Sequence, residues 1–117
     1  METKRLKALI KLGCKVAIYV PSTINVDTEL VTEEYVIETA HRLATLFGGA
    51  TSTPAVGYWE SMDKGTVKER VTAVYSYCTT KQLDSHIDEV IDYCEALKIR
   101  LSQEAVSLEV NGELYFI

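Results

Sequence analysis

Apolar residues recur along the chain with two different periods, and each period predicts one kind of element. Two stretches repeat apolar residues every three or four positions, which is typical of one side of an amphipathic helix. The first contains Val36, Ala40, Leu43 and Phe47, and the second contains Leu83, Ile87, Val90, Cys94, Leu97 and Leu101. The pattern therefore predicts two long helices, each with one buried side.

Both helices carry signals for their ends. Thr32 is followed by two glutamates, and this order predicts a helix start because carboxylates are favourable near a helix N-terminus. Gly48-Gly49 predicts the end of that helix. Thr79 and Gln82 have the spacing of a capping box, which predicts the start of the second helix.

Other stretches have the apolar runs or the alternation of β-strands. Residues 14–20 are almost continuously apolar and stop at Pro21, which predicts a central strand buried on both faces. Residues 67–77 alternate and predict a second central strand. Near the C-terminus, Asn111-Gly112 predicts a tight hairpin between two short strands.

The order of these elements predicts the fold class. A β-α-β-β-α-β order in one domain is typical of the ferredoxin-like sandwich, an α+β fold with two helices on one face of an antiparallel sheet. Residues 14–117 are predicted to form this single domain, with a polar loop at residues 22–31 and a short C-terminal hairpin strand. Residues 1–13 are predicted to form a basic amphipathic helix before it.

The register of the central hairpin decides which side chains share a face. A three-residue loop at Asp63-Lys64-Gly65 pairs Trp59 with Glu69 and Gly57 with Val71. In this arrangement, the odd-numbered side chains of residues 67–77 are expected to lie beneath the two helices.

Charge is distributed unevenly. The net charge is −5, but the first fifteen residues carry +4, so the rest of the chain carries −9. An acidic body disfavours binding to nucleic acid, because that affinity comes mainly from Lys and Arg. The N-terminal basic patch leaves open a contact with nucleic acid, a membrane surface or the acidic body of a neighbouring copy. The alternative is that it is only a solvated helical face that aids solubility. The patch consists of Lys4, Arg5, Lys7 and Lys11.

Three widely spaced cysteines predict reduced thiols, and the sequence predicts neither a metal site nor a cofactor. Lysines interrupt the first twelve residues, so no signal peptide is predicted. No apolar run reaches the length of a membrane span. Together these features predict a cytoplasmic protein.

Trp59 and Glu69 are the strongest candidates for chemistry. A carboxylate beside a tryptophan in a partly apolar hollow can act as a general acid or base, and Glu104 is a second candidate carboxylate. The alternative is that Glu69 only shapes the hairpin through a neighbouring basic side chain or a backbone donor. RNA binding through sheet aromatics such as Tyr75 is disfavoured, because the helices are expected to cover them.

The same residues carry a family resemblance. Gly57-x-Trp59, Gly65, Val67-x-Glu69 and Gln103-Glu104-Ala105-Val106 resemble a pattern found in a family of small bacterial proteins of unknown function. The resemblance covers roughly residues 16–110. It implies the same hairpin and final strand, and it groups Trp59, Glu69, Gln103 and Glu104 as one set. It implies no activity, and this sequence lacks the export signal of many such proteins.

The leading functional prediction is a non-catalytic protein-interaction module. Edge strands and an open sheet face are ready pairing surfaces, so the module is predicted to associate with itself as a homodimer or with another protein. A bacterial or phage origin, as an inhibitor or accessory protein from a mobile element, is one version. The first alternative is a small-molecule-binding protein or enzyme that uses Glu69 beside Trp59, with Tyr58, Gln103 and Glu104 as further binding candidates. The second is nucleic-acid binding through the basic N-terminal segment.

Overall fold

The computed structural model describes residues 3–24, 28–29 and 32–117. Its helices are α1 (Lys4–Lys7), α2 (Glu33–Phe47) and α3 (Thr80–Arg100). Its strands are β1 (Cys14–Pro21), β2 (Thr23–Ile24), β3 (Thr28–Glu29), β4 (Thr51–Ser61), β5 (Gly65–Cys78), β6 (Ser107–Val110) and β7 (Glu113–Phe116).

Five of the strands form one antiparallel sheet in the order β4, β5, β1, β6, β7. The first four have the ferredoxin-like arrangement, and β7 adds the predicted hairpin strand, so the predicted fold class is confirmed. The apolar run of β1 lies at the centre, as expected for a strand with neighbours on both sides. Within the predicted polar loop, β2 and β3 pair with each other, while residues 25–27 and 30–31 lie outside the described residues.

The hydrophobic core lies between the sheet and the two long helices. Both helices contribute the predicted apolar sides, and the even-numbered residues of β1 meet them from below. The core members without measurable exposure are Val16, Ile18, Val20, Leu43, Val74, Cys78, Val90, Cys94, Leu97 and Leu101. Their complete removal from water is the main stabilising contribution to this sandwich.

The prediction that odd-numbered side chains of β5 lie beneath the helices is wrong. Val16 and Ile18 of β1 face the helices, and their partners on β5 are Ser76 and Val74. Directly paired residues point to the same face, so the even-numbered side chains of β5 are the covered ones. Tyr77, an odd-numbered residue, lies on the other face of the sheet, and 51% of its surface is exposed.

The predicted register of the β4–β5 hairpin is wrong by two residues. Ser61 pairs with Gly65, so the loop consists of residues 62–64 and Glu69 lies opposite Gly57 instead of Trp59. The Ser61 hydroxyl accepts hydrogen bonds from the backbone N–H groups of Asp63 and Lys64, which places the turn directly after Ser61. Gly65 adopts the left-handed conformation, with φ of 71°, as the first paired residue after the loop.

The predicted ends of the long helices are confirmed with one difference. The capping box of Thr79 and Gln82 is present, and Gly48 ends α2 in the left-handed conformation. Thr32 precedes α2, but its side chain makes no capping hydrogen bond. The Asn111-Gly112 turn has positive φ at both residues, which matches the twist of the hairpin that it closes.

The predicted helix over the first twelve residues is much shorter in the structure. α1 contains four residues and begins after Thr3, whose hydroxyl accepts a hydrogen bond from the Leu6 N–H group. Leu9 and Ile10 follow the helix and are exposed, so no amphipathic side forms. The short length has a simple reason, because a helix of this size without tertiary packing is only marginally stable.

Candidate functional site

Neither α2 nor α3 covers the second face of the sheet, and polar and aromatic side chains gather there. This open face is formed by the odd-numbered residues of the central strands and their partners. Lys15 and Tyr19 of β1 cannot be buried completely without desolvating their polar ends, which favours this orientation. The main members are Lys15, Ala17, Tyr19, Glu69, Val71, Ala73, Tyr75, Tyr77, Ser107 and Glu109.

A hollow of about 290 Å³ lies on the open face, near the point where the β4–β5 hairpin extends past β1. Glu69 lines it together with Gly57 on the neighbouring strand. Because glycine has no side chain, the space beside Glu69 stays open. The other lining residues are Tyr19, Ala55, Val56, Val71, Ser107 and Leu114, so the walls are mainly apolar.

Glu69 is half-buried at the edge of this hollow. In the described ranges, no hydrogen bond or ion pair engages its carboxylate, although Lys68 and Arg70 are its chain neighbours. Alternation along β5 explains this, because adjacent side chains point to opposite faces. The prediction that Glu69 reaches a neighbouring basic side chain is therefore wrong, and its carboxylate is available to a ligand in the hollow.

Tyr19 forms another part of the wall, and its hydroxyl is held by a hydrogen bond. The Tyr19 O–H donates a hydrogen bond of 2.8 Å to the Glu109 carboxylate, which also lies 3.9 Å from the Lys15 ammonium. The hydrogen bond to Glu109, followed by burial, raises the pKa of Tyr19 above its usual value. The phenol therefore stays protonated at neutral pH, and its ring is held in place beside the hollow.

Trp59 lies on the same face as Glu69, two residue pairs closer to the hairpin loop. Its direct partner is Val67, and 42% of its surface is exposed. Trp59 is not among the residues that line the hollow. Trp59 and Glu69 therefore lie on the same face of the hairpin, but they do not line a shared pocket.

Tyr58 points to the other face of the hairpin, opposite Lys68, and is largely exposed. A larger hollow of about 580 Å³ lies on that side and is lined by Val56, Lys68 and Arg70, among others. Its cationic side chains would suit an anionic group. It contains no carboxylate, hydroxyphenyl or thiol side chain, so the smaller hollow is the stronger candidate for acid–base chemistry.

Gln103 and Glu104 follow the end of α3. The Gln103 N–H group donates to the Lys98 carbonyl, and its side-chain amide donates to the Leu101 carbonyl at 3.2 Å, so Gln103 caps the helix C-terminus. Glu104 is exposed. Neither residue lines the Glu69 hollow, and their role in binding stays a prediction.

The basic patch is exposed, and its contact with nucleic acid or another partner stays a prediction. Within the described ranges, no three His, Cys, Asp or Glu side chains come together in a way that could hold a metal ion. The three cysteines are free and buried, and burial raises the pKa of Cys94 to about 12. Burial therefore disfavours the reactive thiolate form of Cys94.

Sequence reasoning missed Tyr19, Gly57 and Glu109 as parts of the site. The apolar run predicts that Tyr19 is part of a strand buried on both faces. The available signal was its hydroxyl, because a buried tyrosine usually has a polar partner. The argument that helices cover Tyr75 is also wrong, since Tyr75 lies on the open face. The acidic charge of the body remains as evidence against RNA binding.

Comparison with solved structures identifies proteins with this fold. A phage SAM lyase in complex with S-methyl-5'-thioadenosine has a TM-score of 0.65 and 16% sequence identity, over 93% of this chain and 92% of that chain. The phage SAM lyase in the apo state has a TM-score of 0.63 and 18% identity, over 93% and 94%. No family model and no curated protein matches the sequence. At this identity the similarity shows a shared fold, and the family resemblance noted from the sequence stays a prediction.

These neighbours contradict the prediction of a non-catalytic interaction module. The proteins that share the fold over almost the whole chain are an enzyme in two states, and one of them holds a small molecule. The comparison therefore favours the alternative of a small-molecule-binding protein or enzyme. In the part of the chain that the structure describes, no helix combines the length and apolar character needed to cross a membrane.

Proposed function

We propose that this protein is an enzyme that cleaves S-adenosylmethionine and that Glu69 is its base. The observation that carries the proposal is the half-buried Glu69 carboxylate, which has no partner in the described ranges and borders a hollow. Support for the substrate comes from the phage SAM lyase, which has the same fold and was solved with S-methyl-5'-thioadenosine. The proposal retains the predicted role of Glu69 as an acid or base. Tyr19 and Gly57 line the hollow beside Glu69, where the sequence predicted Trp59.

The proposed reaction breaks the bond between the sulfonium sulfur and the amino-acid side chain. The sulfur takes the electron pair of that bond and leaves as the neutral thioether S-methyl-5'-thioadenosine. A proton leaves the adjacent carbon and moves to the Glu69 carboxylate, while a C=C bond forms in the amino-acid fragment. A positioned base typically accelerates such a proton transfer about 10²- to 10⁴-fold.

The charge at the hollow suits this substrate. A sulfonium is a cation, and the carboxylate of Glu69 attracts it more strongly in a half-buried site than in bulk water. The mainly apolar walls, such as Ala55 and Val71, keep the local dielectric constant low. The hollow is at the small end of ligand sites.

The test is incubation of the purified protein with S-adenosylmethionine, followed by chromatography for S-methyl-5'-thioadenosine. We expect the product with the wild-type protein and a loss of about 100-fold or more in Glu69→Gln, which removes the base at constant shape. Glu95→Gln, an exposed carboxylate on α3, is the matched control and should retain full activity. Absence of product from the wild-type protein would refute the proposed reaction.

The second product reports on the role of Glu69. Elimination gives an unsaturated amino acid with vinyl protons, whereas internal displacement by the substrate carboxylate gives a lactone of equal mass. Proton NMR of the reaction mixture separates the two isomers. Vinyl signals support Glu69 as the base, and a lactone without vinyl signals would refute that role while leaving the cleavage reaction intact.

A further inference from the structure

We propose that Tyr19 is the residue that distinguishes a cationic sulfur from a neutral one in this hollow, an inference that rests on the proposed function. Its ring would contact the sulfonium of the substrate through a cation–π interaction, beside the Glu69 carboxylate. The proposal names a specificity-determining side chain for the same site. It follows from the position and the fixed orientation of this ring, on which no cation of the described residues lies.

Tyr19 has the right position. It lies on the central strand β1, next to the strand that carries Glu69, and both residues line the same hollow. A ligand in the hollow therefore has both a carboxylate and a phenol ring beside it. Both groups attract a positive charge, the first by its full charge and the second by the negative face of its π system.

The orientation of the ring is fixed before any ligand arrives. The hydroxyl donates to Glu109 at 2.8 Å, and Glu109 is held in turn by its proximity to the Lys15 ammonium. A phenol that donates to a carboxylate is polarised toward its ring, which strengthens its attraction for a cation. Little rotamer entropy is then lost when the ligand binds.

A neighbouring ring on the same face already makes this kind of contact. The Lys15 ammonium lies 4.8 Å from the centre of the Tyr75 ring, and Tyr77 packs edge-on against Tyr75. Among the described residues, the cation–π contacts involve Tyr35, Tyr75 and Tyr93, and none involves Tyr19. No cation of the described residues thus occupies the ring of Tyr19.

The inference has a consequence for turnover. Cleavage converts the sulfonium into a neutral thioether, so the product loses both the attraction of Glu69 and the contact with the Tyr19 ring. A cation–π contact in a partly desolvated site changes an affinity by about 5- to 30-fold. Tyr19 would therefore favour substrate over product at the same hollow.

The test measures the binding of two unreactive ligands by calorimetry. One is S-adenosylhomocysteine, with a neutral sulfur, and the other is the analogue of S-adenosylmethionine in which a protonated amine replaces the sulfonium. The measured quantity is the ratio of their dissociation constants. We expect the wild-type protein to prefer the cation and Tyr19→Leu to lower the preference about 5- to 30-fold.

Two variants serve as controls. Tyr19→Phe keeps the ring and should retain most of the preference, whereas Tyr77→Leu removes an exposed ring of the same face that does not line the hollow and should leave the ratio unchanged. If Tyr19→Leu fails to fold, the S-methyl proton resonance of S-adenosylmethionine bound to Glu69→Gln gives a second readout. Contact with a ring face shifts that resonance upfield, and Tyr19→Phe should preserve the shift.

The outcomes separate this inference from the proposed reaction. An unchanged ratio in Tyr19→Leu, no cation preference in the wild-type protein, or no upfield shift would overturn the role of Tyr19. If S-methyl-5'-thioadenosine forms and Tyr19→Leu leaves the ratio of dissociation constants unchanged, the role of Tyr19 is overturned and the proposed reaction stands. A preference that disappears in Tyr19→Leu, in a protein that forms no product, would support Tyr19 and refute only the reaction.

Discussion

Gly57 is the residue whose missing side chain keeps the hollow open beside Glu69. Its backbone needs no left-handed conformation, and a Cβ atom at this position would meet only the Glu69 carbonyl oxygen, at 3.9 Å. The fold therefore tolerates a side chain there. The glycine matters for the space on the open face and not for the turn.

Gly57→Val should reduce substrate binding about 10-fold with little change in stability, because the new methyl groups occupy the hollow while valine is favourable in strands. Steady-state kinetics give the change in KM, and thermal unfolding gives the change in stability. Gly49→Val is the matched control, since Gly49 also has free space around it and lies away from Glu69. Equal kinetics for wild-type and Gly57→Val would place the ligand elsewhere.

At the scale of elements, polar contacts join α2 and α3 both at the surface and within the core. The Arg100 guanidinium donates two hydrogen bonds to the Glu38 carboxylate, at 2.6 and 2.9 Å. The hydroxyls of Thr39 and Tyr93 share a buried hydrogen bond of 2.7 Å one residue further along α2. These contacts align the two helices and thereby the sheet that carries the site.

The Glu38–Arg100 pair makes stability depend on pH. Hydrogen bonding to Arg100 lowers the pKa of Glu38, so the stabilisation is complete above the ordinary carboxylate pKa and is lost as pH falls through the lower folded-state value. Both side chains are more than one-third exposed, so the contribution is at most about 1 kcal/mol. Urea unfolding should show Glu38→Gln less stable than wild type at pH 7, and the difference should become smaller near pH 3.

The control for this prediction is Glu95→Gln, which removes an exposed carboxylate without a guanidinium partner and should leave stability nearly unchanged at either pH. An equal loss for Glu38→Gln at both pH values would show that packing, and not the charge pair, carries the effect.

The sequence predicted the two long helices correctly, but it did not predict the orientation of β5. The helix periods were decisive because their other positions are strongly polar, and both helices were predicted with nearly correct ends. The alternation of β5 was ambiguous, because valine occurs at positions of both parities, with Val67 and Val71 at odd positions and Val74 at an even one. Pairing with Val16 and Ile18 of β1 resolved this ambiguity and turned Glu69 to the open face.

At the scale of the whole molecule, the protein is elongated. Its longest dimension is 53 Å and its radius of gyration is 15.8 Å, compared with roughly 13 Å for a compact domain of this length. The difference comes from the β4–β5 hairpin, whose outer part extends beyond β1 as two strands. A two-stranded ribbon is marginally stable alone, and this one exposes Trp59 and Met62.

Self-association stays a prediction, and the exposed apolar side chains on the hairpin are where we expect a second copy to bind. Light scattering should give a mass above 13.1 kDa that falls on dilution. Trp59 is the only tryptophan, so its fluorescence should shift to shorter wavelength as the hairpin becomes covered. Trp59→Ser with Met62→Ser should weaken the association. A concentration-independent monomer would contradict this prediction.

The sequence by itself determined the two long helices, the five strands of the main sheet, their order and therefore the ferredoxin-like fold, because hydrophobic period and capping residues act over a few neighbouring positions. The tertiary structure decided the hairpin register, the face to which Glu69 points, and the meeting of Glu69 with Gly57 and Tyr19 across three strands. The register and the orientation of Glu69 depend on which strand pairs with β1 and on which face of the sheet the helices cover. Both are contacts between residues that are far apart in the sequence, so local patterns do not determine them.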